Sequence, residues 1–341
     1  MRTSVALLAT LAAVVALAIV GCRTSASVTQ TPEEIAWRTL AAVSKPTVST
    51  GAGQADTLVS WRLWWTSLQV YPYPPTYKPP VDGNTNGAFR PIPCQLQSEN
   101  AVTGAAQPAD YCEVIWLNGA SVGYVLTNKF WIRENVIAAA KQSTVSFPDT
   151  PGNMAVEMKT EWQEGTGGDA GTYVTAIDTN QSQRRLVAFH MMIRGFPKWL
   201  WATFIHEDSA SLVTQAGATF EDHFGSHNGK PTRRLLDLLA GEQMDVLSHY
   251  RLIGTQTDFD SPKLLGNPLI EPADMIKKGK ISCVTCHTFA TIDDYGRISP
   301  QPHVEPGIPH IDPSFYSLNF NFTLAERVKC INLGVCSNQL Q

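Results

Sequence analysis

The chain has 341 residues, enough for one large domain or two modest ones. Its hydrophobic content of 43% is ordinary for a globular protein and permits a sizeable core. A formal net charge of −4 and an isoelectric point near 6.1 argue against nucleic acid as a partner.

Arg2 precedes an apolar run from Val5 to Val20, which ends Leu17-Ala18-Ile19-Val20-Gly21-Cys22. A short positive end, an apolar core and a small residue before a cut describe a secretory signal over residues 1–21. Because cysteine follows Gly21, the segment resembles a bacterial lipoprotein signal ending in a lipobox. The implied product begins at Cys22, lipidated on its thiol and amine. An uncleaved membrane anchor is the alternative, although the run is short for a bilayer span. Either way the folded part is expected outside the cytoplasm, in the periplasm, with the membrane reached through the N-terminal lipid. Arg23 in place of aspartate after the cysteine points, by analogy with bacterial sorting, to the outer membrane.

Residues 22–34 read as a tether, small and polar up to Pro32. Pro32-Glu33-Glu34 opens a helix through Ala42, with acidic residues in its first turn. Leu58 to Trp65 reads as a second apolar element of helical character. A Pro-, Gly- and Asn-rich loop follows from Tyr71 to about Pro93 and is a candidate docking surface. From Tyr111 to about Phe204 the pattern favours strands: 114–117, 155–162, 173–177, 186–193 and 199–204. Helix-like spacing returns at 232–239 and 243–247, and 271–280 is a helix-like stretch ending at a glycine. The nine tryptophans are read mostly as core and interface packing. The fold class expected is α+β, a β-rich body with flanking helices over 35–270 and a C-terminal segment over 271–341 packed on it.

That segment contains Ser282-Cys283-Val284-Thr285-Cys286-His287, a C-x-x-C-H motif and the attachment signature of a c-type haem. Two thiols on one tight turn can add across the two vinyl groups of one porphyrin. The histidine directly after them is held under the ring, where an imidazole nitrogen can ligate iron. One covalent haem c per chain is therefore expected, on Cys283, Cys286 and His287. A structural zinc site needs four ligands, and no second C-x-x-C or spaced His pair stands nearby, although His303 and His310 are available. A thioredoxin-like dithiol would follow a buried strand, not a helix-like stretch. Export and covalent haem agree, since bacteria attach such haems outside the cytoplasm.

Once Cys22, Cys283 and Cys286 are assigned, Cys94, Cys112, Cys330 and Cys336 remain, an even number that suggests two disulfides in an oxidising compartment. Three pairings are open, and proximity favours Cys94–Cys112 with Cys330–Cys336. Free buried thiols are the alternative.

Several stretches together resemble a family of bacterial periplasmic c-type haem proteins: Ile35-Ala36-Trp37-Arg38, Trp61 to Trp65, Phe147-Pro148, Val156 to Trp162, Phe189-His190, Trp199 to Asp208, Tyr250 to Gln256, Gly266 to Glu271, and the C-x-x-C-H itself. The most specific is Trp199-Leu200-Trp201-Ala202-Thr203-Phe204-Ile205-His206-Glu207-Asp208. This chain has Ile205 where the family usually has glutamate and Ser209 where it usually has asparagine. The resemblance runs from about residue 35 to 325 and implies an exported protein with a single haem. The motif opens at residue 283 of 341 and no methionine follows it, so a stand-alone small helical cytochrome c is not expected.

The second iron ligand is open at this level. His206, at the end of an aromatic-rich run, and His190, inside one, lead. His303 and His310 follow, then the thioethers of Met275, Met191 and Met192. Two strong ligands would make the protein an electron carrier that serves a redox partner protein. An open position would allow a haem enzyme of peroxidase or oxygenase type, with His206, Glu207 and Asp208 as distal acid–base groups. A redox or gas sensor subunit is a third reading. The bland alternative for that trio is a solvated strand end with a local ion pair.

Overall fold

The computed structural model describes residues 30–46, 59–71, 91–96, 111–166, 168–169, 171–300 and 305–325. Cys22, the 72–90 part of the Pro-rich loop, His303, Cys330 and Cys336 lie outside the described residues. No helix among the described residues is long and apolar enough to cross a membrane.

An eight-stranded sheet organises the fold. Its strands are β1 (Trp65–Thr66), β2 (Gln95–Leu96), β3 (Cys112–Leu117), β4 (Val156–Glu164), β5 (Thr175–Ile177), β6 (Gln183–Ile193), β7 (Leu200–His206) and β8 (Tyr250–Gln256). Six run in the order β1-β3-β4-β6-β7-β8, while β2 pairs with β3 and β5 with β6. Every ladder is antiparallel. The class is thus α+β and β-rich, not a small helical cytochrome.

Strand alternation gives the sheet two faces with different coverings. One carries Trp116, Met158, Trp162, Phe189, Met191, Phe204 and Tyr250, and packs on Ala36, Trp37, Leu40 and Ala41 of α1 (Pro32–Val43). Phe189 stacks on Phe204 at 4.7 Å, and Trp61 meets Trp116 edge-on at 5.5 Å. The Thr160 hydroxyl accepts from the indole N–H groups of Trp116 (2.9 Å) and Trp162 (2.8 Å), so these buried rings keep partners. Proline at the first position and Glu33 and Glu34 in the first turn start α1 in accord with the helix dipole. The tether expected over 22–34 loses its last three residues to this helix.

The other face is covered by α2 (Gly119–Asn128), α3 (Arg133–Lys141) and the segment from about Leu265 onward. Neither α2 nor α3 is expected from the strand-prone pattern of 111–204. The signal for α2 is local: the Asn118 side chain caps it by accepting from the Ser121 N–H at 3.0 Å. Two other expectations need correction. The 58–65 stretch is a short 3₁₀ turn (Ser60–Leu63) followed by edge strand β1, because Trp61 turns into the Trp116–Trp162 cluster. The helix-like 243–247 is a 3₁₀ turn, Asp245–His249. Strand β8 is not among the strands expected, and its register shift between Leu252 and Gly254 breaks the alternation that marks a strand.

Candidate haem-attachment site

The C-x-x-C-H lies on a short helix, α4 (Cys283–Thr288), seated against the end of β8. Gln256 is the last residue of that strand and is fully buried. Its side-chain oxygen accepts from the Val284 N–H at 2.9 Å, and its amide donates to the Ser282 hydroxyl at 3.0 Å. Ser282 in turn caps the helix by accepting from the Thr285 N–H at 3.3 Å. The helix-like stretch ahead of the motif is a helix over Ala273–Lys277, and Gly279 after it takes φ +65°, which a glycine adopts without strain.

Spacing of i and i+3 puts the two thiols on one helical face. Cys283 and Cys286 are free and partly exposed, whereas Cys94 and Cys112 form a disulfide, as proximity suggested. Burial pushes both free thiols up in pKa, Cys286 to about 11. That is the opposite of the lowered value a redox dithiol needs. Among the described residues no group of three or more His, Cys, Asp and Glu is arranged to hold a metal ion; His303 lies outside them.

The His287 ring is held on three sides. Its Nδ1–H donates to the Phe320 carbonyl at 2.9 Å, Trp201 lies 4.1 Å away between ring centroids, and Phe322 stands edge-on at 5.0 Å. Burial drives its pKa down to about 3, so the imidazole is neutral at ordinary pH. With Nδ1 donating, Nε2 carries the lone pair, the arrangement an axial ligand needs. Two unpaired thiols on one turn and an oriented neutral imidazole beside them fit a covalently attached haem.

The sheet face under the motif carries a row of ionisable side chains. Glu113 and Glu161 are directly opposite on β3 and β4, and Lys159 reaches Glu113 at 2.6 Å. His190 pairs with Lys159 across β4–β6, and its Nε2 meets Glu271 at 2.7 Å. Glu271 also accepts from the Asn267 N–H at 2.6 Å. Burial alone would raise the Glu271 carboxyl, but His190 beside it, with the Asn267 N–H and Lys159, holds it low. Burial raises Glu161 well above the usual range, and Glu113 opposite adds to the shift.

The candidates for second ligand separate clearly. His190 is on the motif's face, one diagonal from Trp201, and it and Lys159 lie close enough to His287 to act on it electrostatically. His206 is on the opposite face, beside Tyr250, and five residues along β7 from Trp201, roughly 16 Å of strand. Both its nitrogens are engaged: Nε2 with the Thr172 carbonyl at 3.1 Å, and Nδ1 with the Asp208 N–H at 3.3 Å. Its ring stacks on Tyr173 at 3.5 Å, and burial lowers its pKa. Glu207 and Asp208 lie in the 3₁₀ turn after it; Glu207 binds His249 and Arg251, and Asp208 accepts from Tyr173 at 2.7 Å. The structure therefore does not bring the trio His206, Glu207 and Asp208 to the motif. His310 is exposed in the loop after it, Met275 is half-buried, and Met191 points into the aromatic core. Met192 opposes Trp201 on the motif's face.

Several residues at the site are not singled out by the sequence: Trp201, Glu271, the Glu113–Lys159–Glu161 group and the Phe320 carbonyl. The charged group had a readable signal, because Glu157, Lys159 and Glu161 alternate with apolar residues along β4. The role of Phe320 had none, since it is played by backbone. No family model, no curated protein and no solved structure matches the chain.

Proposed function

We propose that the protein is an exported c-type haem protein that transfers electrons through one haem bound to Cys283 and Cys286, with His287 as axial ligand. The single observation that carries this reading is the His287–Phe320 hydrogen bond, which leaves Nε2 as the basic nitrogen one turn from two unpaired thiols. His190 is the second ligand in this reading. Glu271 holds its Nε2 and so leaves Nδ1 as the coordinating atom, the carboxylate–histidine pairing common at metal sites. With both axial positions filled, iron has no place for substrate, and the partner is a redox protein. Lipid on Cys22, a periplasm-facing location at the outer membrane and membership of the periplasmic c-type haem family belong to the same proposal.

A haem enzyme is the second reading. It is favoured by the acid–base row of half-buried Glu113, Lys159, His190 and Glu271 and buried Glu161 under the motif, not by the distant His206 trio.

The test is to express the chain with its export signal in a bacterium competent for covalent haem attachment. Haem should stay with the polypeptide on a denaturing gel and be lost from Cys283→Ala/Cys286→Ala. A chain without covalent haem overturns the proposal. Resistance of the ferric and ferrous spectra to cyanide and carbon monoxide is expected of a carrier; rapid binding with a high-spin ferric signal favours the enzyme.

A further inference from the structure

The chain segment that holds His287 is itself held in an unfavourable conformation. Asn319 and Phe320 are consecutive residues with φ of +56° and +65°, and Trp199, which is hydrogen-bonded to Asn319, has φ of +63°. Left-handed backbone crowds any Cβ, and a bulky aromatic residue there is a clear outlier. The other non-glycine residues in this region are Lys129, Ser143, Gln181, Asn228 and Gln243, all polar. Trp199 and Phe320 are the two aromatic residues in this conformation among the described residues, and both belong to one structure at the axial histidine. Strained backbone that persists needs surroundings that over-determine it, and it concentrates at functional sites.

The restraints are specific. The Trp199 indole N–H donates to the Asn319 carbonyl at 2.9 Å and to its side-chain oxygen at 3.1 Å. The indole is fully buried and meets Phe147 edge-on at 5.6 Å. Behind Phe320, the Leu318 N–H donates to the Ala290 carbonyl at 2.8 Å, and Asn321 donates to Glu157 at 2.6 Å. The left-handed pair between these anchors turns the Phe320 carbonyl onto His287 Nδ1 at 2.9 Å. Two residues after Trp199, Trp201 packs on the same imidazole at 4.1 Å.

We propose that Trp199 and Asn319 are positioning residues for the axial ligand: the indole clamps a strained turn so that the Phe320 carbonyl fixes His287 in its Nδ1–H form. This rests on the haem reading for its effect on iron, but the clamp itself is a property of the chain. An imidazole whose Nδ1–H is firmly accepted is a more basic ligand and favours the ferric state. Loosening the turn should weaken that bond and move the midpoint potential upward.

The experiment compares wild type with Trp199→Phe, which removes the indole donor, and with two substitutions at half-buried Asn319. Asn319→Val penalises the left-handed conformation; Asn319→Gly accepts it and keeps the backbone carbonyl. Midpoint potentials of the holoproteins are measured by spectroelectrochemical titration. The tautomer of His287 is read from its ring ¹⁵N shifts in chain without haem. Trp199→Phe and Asn319→Val should raise the potential and mix the tautomers, while Asn319→Gly stays at the wild-type values. If Trp199→Phe does not fold, Asn319→Val decides alone. Wild-type potential and a pure Nδ1–H form in the folded variants overturn the clamp. A wild-type chain that takes up no haem overturns the haem reading, and the ¹⁵N comparison then still decides whether the clamp exists.

Discussion

Glu113 and Glu161 stand directly opposite one another on adjacent antiparallel strands, and Lys159 is the cation that serves both. Like charges in that position repel, and Glu161 is only 1% exposed. One of its oxygens has no hydrogen-bond partner among the described residues. Ionising Glu161 in such a place is unfavourable, so its carboxyl keeps its proton to higher pH in the folded protein than in the unfolded chain.

That placement fixes the sign of a pH effect. A carboxyl whose folded pKa lies above its unfolded value stabilises fully below the unfolded value, and the contribution is lost as pH rises through the folded one. Glu161→Gln imitates the protonated acid. It should fold and lose part of the decline in stability between mildly acidic and alkaline pH. Urea midpoints across that range test this; a slope equal to that of wild type would show that Glu161 is ionised in the native state.

Glu157 gives a second pH effect at a defined place. It is 2% exposed, and burial raises its pKa from 4.5 to about 7 against the hydrogen bonds from Asn321 and Thr323. Its contribution is complete below about pH 4.5 and lost by the time pH has passed about 7. The full swing is about 3 kcal/mol. Glu157→Gln keeps an acceptor for Asn321 and should be more stable than wild type at pH 8, by up to about 3 kcal/mol, with no gain at pH 4. A gain that does not depend on pH would point to packing instead of ionisation.

The legibility of these features in the sequence follows the range of the forces behind them. The C-x-x-C-H and the long apolar strands are local patterns, and residues 183–193 and 200–206 form strands where β-prone runs occur. Helix α2 was obscured because its residues Val122, Tyr124 and Val125 suit a strand equally well, and the deciding signal is the Asn118 cap. His206 and His190 look alike in sequence, each a histidine in an apolar strand. The sheet separates them by face, which depends on the position of C-terminal residues some 80 places away for His190. The clamp around Phe320 is beyond sequence reading altogether, because its working atom is a carbonyl and its conformation runs against residue preference.

The disulfide closes a loop between residues 94 and 112 and ties β2 to the edge of β3. A loop of 18 residues corresponds to roughly 3 kcal/mol of lost unfolded-state entropy. Cys94→Ser/Cys112→Ser should lower stability by about that amount while leaving covalent haem attachment intact, because the bond lies in the aromatic-core layer and not at the motif. Denaturant unfolding and a haem-stained gel test the two halves. Loss of haem from a folded variant would mean that the two faces of the sheet are coupled.

The histidines supply the remaining test, since His190 and His206 predict opposite outcomes. Removing His190 takes away the imidazole that faces the motif and leaves Glu271 with the Asn267 N–H as its donor. In the holoprotein His190→Ala should convert the ferric spectrum toward high spin and admit cyanide. Removing His206 instead takes away a buried ring that donates to the Thr172 carbonyl and stacks on Tyr173. His206→Ala should therefore cost about 1–3 kcal/mol of stability, as truncation of a buried side chain does, and leave the haem spectrum unchanged. Optical spectra and thermal melts of the two variants, recorded side by side, distinguish the roles. If His206→Ala opens the iron and His190→Ala does not, the haem lies against the other face of the sheet and His190 is not its ligand.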